Sequence, residues 1–174
     1  FPARGSLIDP FNGKEDLKSR TLRILHDASF LDDPTRLYRG AHYAARFSLR
    51  PEPDTARNLR EACHGGLPGK LSRERIRQEL MRTLAEKDPA GAMRLLKSWD
   101  LLKHFHPAFK YPAKAKGLAS AEERLGLCAL ALGEKAGGDF LASLPLAREM
   151  GGMLAAVLKA AADKETPARE IPPS

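Results

Sequence analysis

The chain has 174 residues, a formal net charge of +7 and only 6% aromatic residues. Aliphatic residues and alanine carry most of its apolar share, and runs of Val, Ile, Thr and Tyr are missing, which argues against an extensive sheet. Its two cysteines, Cys63 and Cys128, fall in no CxxC or Cys/His ligand spacing. Neither a disulfide framework nor a zinc site is expected, and a reducing cytoplasm is the expected setting. No apolar run reaches membrane-spanning length, and no signal-peptide pattern opens the chain.

Residues Phe1 to Gly13 read as loop, broken by Pro2, Gly5, Pro10, Asn12 and Gly13, with Leu7-Ile8 as the end of a short strand. A first helix is expected over Glu15–Arg20, followed by an extended apolar piece from Leu22 to Leu25. Asp33 is a good N-cap with Pro34 at the first helical position, and this helix should reach Phe47. Pro51 and Pro53 break the chain. Asp54 or Thr55 then caps a helix ending at Gly65-Gly66. Ser72 caps a charged helix to about Glu86, and Asp88-Pro89 starts another that ends near Trp99, a residue expected in the core. A short helix from Asp100 stops before Pro107, and Lys110 to Gly117 forms a basic linker. Ser120 with Glu123 makes a capping box for a helix ending at Gly133. Asp139 opens a last helical region bent at Pro145. Thr166 to Ser174 holds three prolines and is expected to be disordered. The expected fold is all-α, a bundle of about seven helices with a short loop or strand remnant at the start.

The positive charge is not spread evenly. Residues 1–60 hold 11 basic and 8 acidic side chains, residues 61–116 hold 12 and 6, and residues 117–174 hold 6 and 8. A localised basic surface suits a polyanion such as RNA. It also suits a solvated Lys/Arg-rich helix surface.

Residues 30–47 carry the chemistry. Asp33, Arg36, Arg39 and Tyr43 recur at three- and four-residue steps and share a helical face, which Arg46 continues. Leu37, Ala41, Ala44 and Ala45 lie on the other side. An Arg fork offers paired donors and a carboxylate offers only acceptors. Cytosine presents acceptors at N3 and O2 and a donor at N4. Adenine presents an acceptor at N1 and a donor at N6. One Asp and one Arg can therefore satisfy either edge. Guanine and uracil would set a donor against Arg and an acceptor against Asp, each mismatch costing about 1–3 kcal/mol in a dry pocket. Arg39, one turn on, could hold a ribose or triphosphate oxygen. The structural alternative is that Asp33 caps the helix and pairs with Arg36 at the surface.

Five ordered pieces resemble one family. Asp33-Pro-Thr-Arg-Leu-Tyr-Arg39 resembles the DPxRxxR neck motif of class II tRNA nucleotidyltransferases (CCA-adding enzymes) and bacterial poly(A) polymerases. The stretch from Leu7 to Leu17, LIDPFNGKEDL, is similar to the family's IDPFGGxxDL head–neck connector, and that from Arg23 to Phe30 to its RVLHPxSF stretch. Residues from Ser72 to Leu80 resemble the ERI..EL neck helix. Leu95-Leu96, Leu101-Leu102 and His106-Pro107 are like the LL..gLL...P stretch of the body. Order and spacing agree from Leu7 to Pro107. The resemblance implies a connector over 1–30, a neck with the nucleotide-recognition helix over 31–107, a helical body over 108–165 and a disordered tail over 166–174.

By the same resemblance, Asp33 and Arg36 would act as an amino-acid template for incoming CTP or ATP, with Arg39 also facing the nucleotide. His42 stands where many members carry a third Arg of this nucleotide-contacting set. Tyr43 replaces a Phe, Ser48 stands where Gly is common, and Asn12 replaces one Gly of the connector. Weaker candidates for RNA contact are Lys70, Arg73 and Arg77 around the charged helix, and Lys110, Lys114 and Lys116 in the linker. Glu74 and Glu79 are alternative partners for the nearby arginines. His104 and His106 have no carboxylate at metal-ligand spacing.

The family's chemistry needs Mg²⁺ held by two carboxylates of a GSxxxDxD-type strand, and no such motif occurs in this sequence. The chain opens on Phe1 rather than Met. The expectation is a fragment or split subunit that supplies base selection and RNA holding, inactive alone, with a catalytic head in cis or trans. Its partners would be ATP or CTP and the 3′ end of tRNA or another RNA, with no membrane involved. The reaction served would be CCA or A addition, or polyadenylation. The alternatives are a non-catalytic helical RNA-binding or adaptor protein derived from that family, and a helical scaffold without RNA affinity.

Overall fold

The computed structural model describes residues 8–118 and 120–165; the side chains of residues 114, 116, 164 and 165 lie outside that description. The expected strand at Leu7-Ile8 and the expected disordered tail therefore fall wholly or partly outside the described residues. Among the described residues the chain is all-α apart from one two-stranded ladder. It divides into two compact units. The first runs up to Leu71 and takes in Gly91–Leu101; the second holds Ser72–Ala90 and the chain from Leu102 on.

In the first unit, α1 (Gly13–Lys18) begins where the Asp9 carboxylate accepts from the backbone N–H groups of Gly13 (2.7 Å) and Lys14 (2.8 Å). The extended piece after it becomes β1 (Thr21–Leu22), parallel to β2 (Arg50–Pro51), with Thr21 opposite Arg50. The Pro51 edge is tolerable because the ladder is made by Arg50 and Glu52, which donate to the Arg20 and Leu22 carbonyls. A short helix not expected from the sequence, α2 (Ser29–Asp32), follows the loop after β1. Then comes α3 (Thr35–Phe47), which buries Leu37, Tyr38, Ala41, His42 and Ala44.

The next helix, α4 (Pro53–His64), is capped by Glu52, not by Asp54 or Thr55. The Glu52 carboxylate accepts from the N–H of Asp54 (3.1 Å) and of Thr55 (2.9 Å), and Pro53 occupies the first turn where no N–H is needed. Thr55 is fully buried. Its hydroxyl donates to Glu52 and accepts from the Ile24 N–H (2.9 Å), which ties the chain after β1 to the start of α4. The first-unit core combines Phe30, Leu37, Tyr38, Leu59 and Ala62 with Ala92, Met93 and Leu96 of α6 (Pro89–Ser98).

The second unit starts with α5 (Arg73–Leu84), capped by Ser72 as expected. Its buried residues Ile76, Glu79, Leu80, Thr83 and Leu84 follow the three-and-four spacing of one helical face. Single 3-10 turns at Leu102–His104 and Ala113–Gly117 replace the expected short helix and linker. The capping box at Ser120 and Glu123 opens α7 (Ala121–Leu132). Asp139 does not open a helix. It lies inside α8 (Glu134–Ser143), which starts directly after Gly133, and Pro145 separates α8 from α9 (Arg148–Glu165) instead of bending one helix. Gly137 lets α7 and α8 touch: a Cβ there would fall 2.3 Å from the Ala129 carbonyl oxygen. Phe105, Phe109 and Phe140 pack edge to face at 5.2 and 5.5 Å between ring centres.

Candidate nucleotide-binding site

The face of α3 predicted to carry chemistry opens onto a cavity of about 440 Å³ in the first unit, a volume within the range of small-molecule sites. Arg36, Arg39, Gly40 and Tyr43 of α3 form one wall. The others come from the chain between Leu22 and His26, from Ser29 and Phe30 of α2, from Thr55 and Leu59 of α4, and from Trp99. Trp99 is thus half-buried and lines the cavity, where the sequence suggested plain core. Its ring sits 3.6 Å from the place a Cβ would take on Gly40, so the glycine sets how closely α3 approaches the indole.

Asp33 precedes the helix with extended backbone (φ −146°). Its Oδ1 accepts from the Thr35 N–H (3.1 Å) and from the Thr35 hydroxyl (2.7 Å). The helix begins one residue later than expected: Pro34 is its N-cap and no side chain caps it, while Asp33 closes a turn onto Thr35. Arg36 donates through Nη1 alone, to the Ser29 carbonyl (3.0 Å) and the Ser29 hydroxyl (2.9 Å). Among the described residues its remaining donors have no hydrogen-bond partner, and Arg39 is exposed with none at all. His42 is only 6% exposed and does not line the cavity, so the structure does not bring it to Arg36 and Arg39.

The cavity is cationic. Arg23, Arg36 and Arg39 line it, His26 stands beside them, and no carboxylate does so among the described residues. Arg23 is held from outside by a two-pronged bond to Asp16 (3.0–3.3 Å), and that hydrogen bond raises its pKa further. Such walls suit the oxygens of a nucleotide or RNA phosphate. They do not suit Mg²⁺, and among the described residues no group of three His, Cys, Asp or Glu side chains converges on a metal position.

The candidate RNA contacts divide by their neighbours. Lys70 and Lys110 are exposed and, among the described residues, without partners. Arg73 spends its fork inside the second unit: Nε on the Ser143 carbonyl (3.0 Å), Nη1 on that of His104 (2.9 Å), Nη2 on that of Phe105 (3.1 Å) and on the Ser143 hydroxyl (2.6 Å). Arg77 pairs with Glu74, and Arg82 with Glu79. The backbone of Lys114 and Lys116 lies in the turn Ala113–Gly117, and their side chains lie outside the described residues.

Two roles escaped the sequence. Arg124 is buried and donates to the Leu84, Glu86 and Leu118 carbonyls, closing the end of α5; a lone Arg in a helix gives no sign of this. Ser29 is the other. Cys128 is buried in an apolar setting that pushes its thiol up to about 12, so it is no nucleophile.

Arg36 thus lines the cavity and Asp33 does not, and comparison with known proteins points to RNA nucleotidyltransferases. Residues 48–111 match the family described as the probable RNA and SrmB-binding site of polymerase A. An A-adding tRNA nucleotidyltransferase from Halalkalibacterium halodurans is 46% identical over 91 residues, which is 51% of this chain and 21% of that protein. A multifunctional CCA protein from Paraburkholderia phymatum is 39% identical over 104 residues, 59% of this chain and 25% of that protein. The solved Thermotoga maritima CCA-adding enzyme complexed with tRNA superposes with a TM-score of 0.67 at 28% identity, over 88% of this chain and 42% of that one. The chain spans about a quarter or less of the length of these curated relatives. These relatives are A-adding and CCA-adding tRNA nucleotidyltransferases, and this chain is similar to part of each. No helix among the described residues is long and apolar enough to cross a membrane.

Proposed function

We propose that this chain selects the nucleotide and holds the RNA end in a template-independent RNA nucleotidyltransferase that extends tRNA or another RNA 3′ end. Asp33 and Arg36 serve as the template. The Arg36 fork donates to N3 of cytosine or N1 of adenine, and the Asp33 carboxylate accepts from the exocyclic amino group. Arg39 faces the sugar or phosphates. Lys70 and Lys110 contact RNA phosphates. Mg²⁺ and the attack of the RNA hydroxyl on the α-phosphate belong to a catalytic head acting in cis or trans. The observation that supports this most is the state of Arg36. It sits in the cavity wall with one nitrogen anchored and its other donors unclaimed among the described residues, as a fork awaiting a base edge would.

The purified chain, combined with a catalytic head, should add C or A to tRNA. Asp33→Ala should blur the choice, costing about 10-fold or more in preference for CTP or ATP over UTP or GTP, as expected for one unpaired polar contact. Equal selectivity in wild type and Asp33→Ala removes the template role. RNA binding that survives both Asp33→Ala and Arg36→Ala, without any nucleotide preference in wild type, would favour a non-catalytic RNA-binding adaptor instead.

A further inference from the structure

Ser29 sits outside the motif that carries Asp33 and Arg36, yet it touches both. Its carbonyl oxygen accepts from Arg36 Nη1 (3.0 Å) and also from the Asp33 backbone N–H (3.4 Å). Its hydroxyl lies 2.9 Å from the same Nη1. A carbonyl has two lone pairs, so one oxygen can serve both donors. Ser29 is 5% exposed and lines the cavity. It is held in turn: its N–H donates to the His26 carbonyl, and its neighbour Phe30 is buried in the first-unit core.

We infer that Ser29 is the positioning residue that sets the Arg36 fork for base discrimination. An arginine carries several rotatable bonds, and an unanchored guanidinium would meet acceptors in many directions. Two acceptors on the single nitrogen Nη1 fix the plane of the fork and direct the opposite edge elsewhere. The shared carbonyl sets the distance between that fork and the backbone of Asp33, so the donor and acceptor halves of the template move as one. A rigid pair rejects the wrong base more sharply, because a mismatched edge cannot be met by swinging the arginine aside. This rests on the reading of Asp33 and Arg36 as the base-selecting pair.

The test compares wild type, Ser29→Ala and Ser29→Thr on the full chain by two measurements. One is ATP, CTP, GTP and UTP discrimination with the catalytic head supplied. The other is the rate of Arg36 guanidinium rotation, read from its side-chain nitrogen resonances. Loss of one charge-assisted bond should lower discrimination about fivefold and speed the rotation in Ser29→Ala, with Ser29→Thr close to wild type in both. A merely structural serine would change the melting temperature and leave both readings alone, which overturns the inference. Should Ser29→Ala fail to fold, Ser29→Cys fills the same space with a weak acceptor and is judged by the same two readings. Wild type that shows no discrimination defeats the template reading instead, and the rotation rate still decides whether Ser29 restrains Arg36.

Discussion

Ser48 ends α3 with φ 56°, in the left-handed region, and donates its N–H to the Ala44 carbonyl. Asn12 precedes α1 at φ 58°. These are the two positions at which the resemblance to the family's motifs expects glycine, and both adopt a backbone that a Cβ opposes. Asparagine tolerates that region far better than serine does. Ser48→Gly should therefore stabilise the chain by about 0.5–1 kcal/mol, after the entropy that glycine adds to the unfolded state. That corresponds to a rise of about 1–4 °C in melting temperature. Asn12→Gly should give less than half of that. Differential scanning calorimetry on the two variants separates them, and an equal or opposite order would contradict the strain assigned to Ser48. Arg36 and Arg39 share one wall of the cavity, as their three-residue spacing predicts, whereas Asp33 lies before α3 in extended backbone and does not line that cavity. Ser29 was not legible in the sequence, because its link to Arg36 spans seven residues and depends on a single turn, α2, whose N-cap Ala28 offers no side-chain signal. His42 was misjudged for the opposite reason. Its register follows the motif, but that step around the helix turns it into the core beside Tyr38.

At the scale of elements, starts with a hydroxyl or carboxylate cap on a following turn were readable, and those without one were not. Ser72 and Ser120 cap α5 and α7 as their types predict. By contrast α8 begins on Gly133 with no side-chain cap, so Asp139 in mid-helix looked like the better start. The cap of α4 went unrecognised because glutamate is not a favoured capping type, although here its length reaches two N–H groups at once. Hydrogen bonds from the Thr55 backbone, against a smaller opposing effect of desolvation, hold the Glu52 carboxyl below the usual range. The sign follows from linkage. A carboxyl with a depressed folded pKa contributes fully above its unfolded value of about 4.3, and that contribution is lost as pH falls through the lower folded value. The amides of Asp54 and Thr55 should lose protection in hydrogen exchange below about pH 4, before the helix interior does. Glu52→Gln keeps an acceptor and removes the titration, so its protection at this end should no longer fall with pH. Protection in wild type that is indifferent to pH over this window would remove Glu52 as the cap.

Across the whole molecule, charge counted along the sequence overstates what is available to a polyanion. Residues 61–116 carry 12 basic side chains against 6 acidic ones, yet several of those cations are already engaged. Arg73 is spread over three carbonyls and a hydroxyl, and Arg77 and Arg82 close onto Glu74 and Glu79. Lys70 and Lys110 are exposed, with no partner among the described residues. Each phosphate contact releases counterions, and for single strands the logarithm of affinity falls by about 0.7 per contact for each tenfold rise in salt. Removing a lysine that meets a phosphate should therefore weaken binding at low salt and flatten the salt dependence by somewhat under one unit. Lys70→Ala and Lys110→Ala should each do this to tRNA binding, whichever bases the 3′ end carries. Arg77→Ala should leave the slope nearly unchanged, because the pair it breaks is mostly solvated and adds little. Arg73→Ala should separate the two currencies: about 1–3 kcal/mol of stability lost with its charge-assisted bonds, and little change in slope. Titrations of the four variants from about 50 to 200 mM salt, paired with thermal melts, test the division. A slope that drops for Arg73→Ala as much as for the lysines would mean that RNA competes successfully for a guanidinium the fold already uses.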